Sequence, residues 1–102
     1  MIQGTTPTHE YTLPVAADQI AKLRLTYSQS GRTVLTKTEA DMERSGYTWA
    51  VKLTQNETFK FKPGEAEAEI RGLCTDGNVV QNDPKKPIKF TVYEAQNKEV
   101  LK

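Results

Sequence analysis

The chain has 102 residues, 36% of them apolar and 26% charged, and a formal net charge of +1. Such a length supports one domain with one core, and its aromatic and β-branched content sets it apart from a disordered chain. A near-neutral balance excludes the general attraction to phosphate that duplex-binding proteins carry, and the lone cysteine, Cys74, excludes an intrachain disulfide.

Met1 to Thr8 reads as an N-terminal arm, without the basic start or apolar stretch of a signal peptide. His9 to Leu13 reads as a first strand, stopped by Pro14. Val15 to Gln19 suits a helical turn, because Ala16, Ala17 and Asp18 are poor strand formers. Ala21 to Gln29 alternates by twos, so a strand would place Ala21, Leu23, Leu25 and Tyr27 on one face and Lys22, Arg24, Thr26 and Ser28 on the other. Ser30-Gly31 marks a tight turn, and Thr33 to Thr38 returns. Glu39 to Arg44 alternates weakly through Ala40 and Met42 and reads as a short edge strand, its charges opposing pairing with other chains. After a turn at Ser45-Gly46 comes the clearest strand, Tyr47 to Leu53, with Tyr47, Trp49, Val51 and Leu53 directed inward.

Thr54-Gln55-Asn56-Glu57 fits a capping box, in which Thr54 and Glu57 exchange side chain-to-backbone bonds and start one helical turn. Phe59 or Phe61 would then fold onto the core before Pro63-Gly64. The run from Glu65 has high helix propensity but a period of two, so Glu65 to Thr75 is read as a strand with Ala66, Ala68, Ile70, Gly72 and Cys74 inward. Asp76-Gly77 is the strongest hairpin signal, and Val79 and Val80 begin the return. Asn82 to Pro87 is a loop, Ile88 to Glu94 a final strand, and Ala95 to Lys102 a tail. No apolar run approaches a membrane span. Several half-buried strands in one short chain predict an all-β sandwich or barrel of antiparallel sheets, with residues 1–102 as one domain.

Chemistry-bearing residues are sparse. His9 and Cys74 could form a nucleophile and base only if a sheet brought them together, and an inward Cys on a strand is ordinarily a small hydrophobe. One His and one Cys cannot furnish a zinc set. Glu65, Glu67 and Glu69 stand about 7 Å apart along a strand, too widely spaced for one cation without loop ligands, and suit a solvated face paired with cations across the sheet. Asn56-Glu57-Thr58 matches a glycosylation pattern that is meaningful only on a secretory route. Pro84-Lys85-Lys86-Pro87 fits a minimal PxxP ligand or simply the loop before a strand. Trp49, among alternating apolar neighbours, is read as the core anchor; its rival role is a sugar-stacking platform. No phosphate-binding glycine loop occurs. The expectations are no catalytic residues, no cofactor, no metal and no nucleic-acid or membrane partner.

Several segments resemble a family of small proteins of unassigned function encoded in tailed-phage and prophage regions of Gram-positive gut bacteria. They are Gly4-Thr5-Thr6-Pro7-Thr8 with Tyr11-Thr12-Leu13-Pro14, Leu23 to Gln29, Val34-Leu35-Thr36-Lys37, Val51 to Thr58 with Phe59 or Phe61, and Ile70-Arg71 leading to Thr75-Asp76-Gly77. The chain departs from that pattern at Glu65 to Glu69, where bulkier β-branched residues are expected. The resemblance implies an immunoglobulin-like sandwich of seven or eight strands with one short helical turn. It also implies a non-enzymatic virion-structural or assembly role in a tail or baseplate, with incorporation into the particle; the N-terminal residues, without a signal-peptide pattern, make cytoplasmic synthesis the expectation. Partners would be other virion proteins or a second copy. Terminal arms and strand edges are the expected contacts, which singles out Thr5, Thr6, Pro7, Glu39, Asp41 and Glu43. The alternative is a carbohydrate-binding or adhesive module, which requires an exposed aromatic cluster.

Overall fold

A computed structural model describes all residues, Met1–Lys102. It contains eight strands: β1 (Thr8–Thr12), β2 (Ile20–Gln29), β3 (Arg32–Thr38), β4 (Glu43–Ser45), β5 (Thr48–Lys52), β6 (Gly64–Cys74), β7 (Val79–Gln81) and β8 (Ile88–Val92). A single-turn helix, α1 (Gln55–Thr58), and 3-10 turns at Ala17–Gln19 and Glu39–Asp41 complete the elements.

The strands form two antiparallel sheets packed face to face, an all-β sandwich. The smaller has the order β1-β5-β4 and the larger β3-β2-β6, with β7 and β8 sharing the far edge of β6. β7 pairs with Arg71–Leu73 and β8 with Gly64–Ala68. The consecutive strands β2 and β3 are neighbours within one sheet.

The period-two pattern positions the core. Leu23, Leu25 and Tyr27 of β2, Trp49 and Val51 of β5, and Ala66, Ala68, Ile70 and Cys74 of β6 belong to one buried cluster with Tyr11, Leu13, Leu53, Phe61 and Val92. Glu65, Glu67 and Glu69 alternate with these residues and are exposed. Lys89 lies 3.5 Å from Glu65 and 3.7 Å from Glu67, the cross-sheet pairing expected of such a face. Small residues on β6 accommodate large ones on both neighbours. Ala68 lies between Tyr27 and Ile88, and Ala66 stands beside Phe90. A Cβ on Gly72 would sit 3.1 Å from Ile20 carbons. Bulky β-branched residues are absent there because the facing aromatics already fill the space.

Local chemistry explains the connections. Ser30 and Gly31 have φ of 51° and 76°, the paired left-handed conformation whose twist matches the strands of a two-residue hairpin. Thr54 Oγ1 accepts from the Glu57 N–H and a Glu57 carboxylate oxygen accepts from the Thr54 N–H, so the capping box forms. The helix it starts lasts one turn and delivers Phe61 to the core.

Several local expectations are corrected. Ala21 is exposed, because a bulge between Ile20 and Lys22 gives its inward place to Ile20. Tyr47 is 55% exposed because it occupies the turn before β5 rather than the strand. Glu39 to Arg44 is not one strand: Asp41 caps the Thr38 N–H at 2.9 Å, the chain makes a 3-10 turn, and extended pairing starts only at Glu43. Met1 to Thr8 is not a free arm. Ile2 bridges Tyr93 in parallel, and Gln3 is buried, its Nε2 donating to the Phe61 carbonyl at 2.7 Å. Thr58 Oγ1, also buried, accepts from the Gly4 N–H at 2.9 Å. The tail is held too, since Ala95 N–H and Lys98 Nζ both donate to Gln3 Oε1.

Candidate functional site

Two flanks close the space between the sheets, and they are built differently. On one flank lies β3. Across β2, Lys37 is opposite Leu25 and therefore points inward at the rim of the larger sheet. Its ammonium pairs with Glu57 of α1, and both side chains are largely covered. Burial alone would raise the Glu57 carboxyl, but the bonds from Lys37 and the Thr54 N–H outweigh it and hold the group below its ordinary range. The β3 edge is then blunted by an irregularity that leaves Val34 unpaired and by the Asp41 cap on Thr38, and just past its end Glu39 accepts from the Leu23 N–H of β2 at 3.3 Å.

On the other flank β1 lies over β8. His9 and Tyr11, two apart, share the inward face of β1. Tyr27 reaches them from β2: its hydroxyl is 2.7 Å from His9 Nδ1 and 2.8 Å from the Tyr11 hydroxyl. Phe90 and Phe61 pack around this group, with ring centroids 5.9 and 5.5 Å from Tyr27. Two hydrogen-bond polarities satisfy the trio, one running from Tyr11 through Tyr27 to an unprotonated Nδ1 and the other its reverse. Burial pushes both phenols up and the imidazole down, so all three groups are neutral near pH 7. The cluster is a polar clasp between sheets, and it offers no nucleophile. Cys74 is six residues beyond Ala68 along β6, roughly 20 Å from the Tyr27 position; sheet formation does not join it to His9. No group of three His, Cys, Asp or Glu side chains is arranged to hold a metal ion.

The outer edge of β1 is the most available part of this flank. Pro7 and Leu53, and Leu13 and Tyr47, are joined by backbone bonds of 2.9 and 3.2 Å. Antiparallel pairing alternates bonded and non-bonded residues. His9 and Tyr11 therefore bond β5, while the N–H and C=O groups of Thr8, Glu10 and Thr12 face away from it. β1 has no second strand partner. A cleft of about 560 Å³ runs beside this edge, with Glu10, Tyr11 and Thr12 on one wall and Gln81, Asn82, Asp83 and Ile88 on the other. No bulge or Lys interrupts β1, in contrast to β3.

The residues singled out from sequence fall in separate places. Thr5 and Thr6 are exposed, but the Thr5 carbonyl is tied to Thr58, and the Pro7 carbonyl accepts from Leu53. Glu39 and Asp41 spend their carboxylates on the fold, leaving Glu43 free on β4 at the opposite edge of the smaller sheet. Trp49 is 1% exposed, inside the core, and its Nε1 has no hydrogen-bond partner. The exposed aromatics Tyr47 and Tyr93 lie in different parts of the chain, before β5 and after β8. Lys85 and Lys86 of the PxxP segment donate backbone bonds to Asp83 and form a turn. Sequence reading missed the His9–Tyr11–Tyr27 cluster, although the i, i+2 spacing of His9 and Tyr11 was visible. It also missed the β1 edge, which strand order alone reveals.

No helix is long and apolar enough to cross a membrane. No protein-family model, curated protein sequence or solved structure matches the chain.

Proposed function

We propose that this chain is a non-enzymatic structural or assembly protein of a phage or prophage that works through protein–protein contacts. The virion role follows from the sequence resemblance of its strand and turn segments. The mode of action is supported by one observation above others, the unpaired edge of β1 beside a cleft. Main-chain groups on such an edge give affinity to any extended segment, and side chains on either face give selectivity. The terminal segments are bound into the fold, so contact is assigned to this edge and to Glu43 on β4 rather than to a swinging arm. The adhesive alternative loses its platform, because Trp49 is buried in the core between the sheets.

The experiment is detection of the chain in gradient-purified particles after induction of the host prophage, together with inspection of the genes beside its own. Tail or baseplate genes alongside, and the chain in the particle band, are the expected result. Absence from particles, with unrelated metabolic genes on both sides, overturns the virion role.

A further inference from the structure

We propose that the partner of the β1 edge is the β8 edge of a second copy, in a two-fold symmetric dimer. The inference rests on the protein–protein reading above and names its partner. Both edges lie on the same flank. His9 of β1 stacks 5.4 Å from Phe90, while Glu10 to Thr12 share a cleft with Ile88, so β1 runs antiparallel over β8. A two-fold axis along the strands, set outside this flank, brings β1 of one copy level with β8 of the other and keeps them antiparallel. Each sheet then continues into the opposite sheet of its partner, and the symmetry closes the assembly.

The unpaired backbone groups match. Thr91 O accepts from the Met1 ammonium at 2.8 Å, and the Tyr93 N–H and C=O are bonded to Met1 and Gln3. The N-terminal segment thus covers the end of β8, and by alternation the outward-facing residue still open is Lys89. Placing Glu10 opposite Lys89 of the second copy lets those two residues exchange both backbone bonds. It also lets the Thr12 N–H donate to the Pro87 carbonyl, and the pairing stops short of Thr91, whose carbonyl is held by Met1. Proline's missing N–H falls where no donor is needed.

Side chains decide between pairings. β1 against a second β1 would set Glu10 opposite Glu10, a like-charge pair that opposes association. β1 against β8 sets Glu10 opposite Lys89 on the outer face, twice by symmetry. On the inner face, Ile88 and Phe90, only partly buried in one chain, would be covered. An edge of this length gives a small interface, so association belongs in the micromolar to millimolar range.

Sedimentation velocity across that range tests the proposal, with Glu10→Lys, Lys89→Glu and the doubly reversed variant. The expected result is a concentration-dependent dimer, weakened roughly ten-fold or more by either single reversal, since two symmetric pairs change sign, and recovered in the double variant. Recovery separates the contact from any loss of folding caused by removing Lys89 from Glu65 and Glu67. A second measurement uses Glu10→Cys/Lys89→Cys. These side chains lie on opposite outer faces within one chain, whereas across the proposed pair their Cα atoms would be about 5.5 Å apart, within disulfide range. A covalent dimer under mild oxidation is expected. A wild-type monomer at every concentration, or dimers indifferent to both reversals, overturns the proposal and leaves Lys86, Pro87 and Lys89 as ordinary edge protection. A monomer that is nevertheless found in particles overturns the dimer alone; a dimer absent from particles overturns the virion role alone.

Discussion

The two flanks of the sandwich solve the same problem in opposite ways. Around β3, three polar groups are given local partners: Asp41 takes the Thr38 N–H, Glu39 takes the Leu23 N–H of β2, and Glu57 takes Lys37. Around β1, the polar partners lie inside, in the His9–Tyr11–Tyr27 clasp, and the outer backbone groups have none. An edge whose register is broken and whose end is capped by a neighbouring carboxylate is a poorer template for another chain. An edge whose side chains face inward leaves its ladder available.

Perturbing the interior common to both flanks gives the largest effect and the baseline for the rest. Trp49→Ala should cost about 3–5 kcal/mol, measured by urea unfolding, because the ring is enclosed and the cavity cannot fill from outside. If the cost is under about 1 kcal/mol, the tryptophan is not the anchor and the contrast of flanks around one core fails. On the open flank, Tyr27→Phe removes the 2.7 and 2.8 Å partners of His9 and Tyr11 without changing ring packing. A loss of about 1–3 kcal/mol is expected, the penalty for stranding buried polar groups. On the closed flank, Asp41→Ala should cost only about 1 kcal/mol, a lost cap at an exposed site, and should speed amide exchange at Thr38.

Acid should reach the open flank first. Burial holds His9 below its ordinary 6.5, so the unfolded chain takes up a proton before the folded one. Stability from this group is full above 6.5 and declines as pH falls toward the folded value. Glu57, held below its ordinary 4.5, contributes above that pH and is lost as pH falls through its folded value. Stability measured against pH should thus decline in two stages; His9→Gln should remove the upper stage, and Glu57→Gln the lower. The smallest perturbation is none at all. Amide exchange in the dilute wild type should alternate along β1, with His9 and Tyr11 protected and Glu10 and Thr12 fast. Uniform protection would mean that the edge is already covered.

Much of the fold was legible in the residues. Alternation identified the inward faces of β2, β5 and β6, glycine pairs placed the hairpin turns, and the Thr54–Glu57 spacing gave the capping box, because each depends on neighbours within a few positions. Where reading failed, a second local preference intervened: a bulge displaced Ala21, and the Asp41 cap won over extended pairing at Glu39. The alanines of β6 looked anomalous only because the aromatics that fill their space lie on other strands.

The sequence by itself determined most of the strands and the dry faces of β2, β5 and β6, since periods of two and turn chemistry are short-range properties of the backbone. Tertiary structure alone decided which edges remain open, that His9 meets Tyr27 rather than Cys74, and that the N-terminal segment is bound down. Those depend on strand order and register between residues far apart in the chain, which no local spacing encodes.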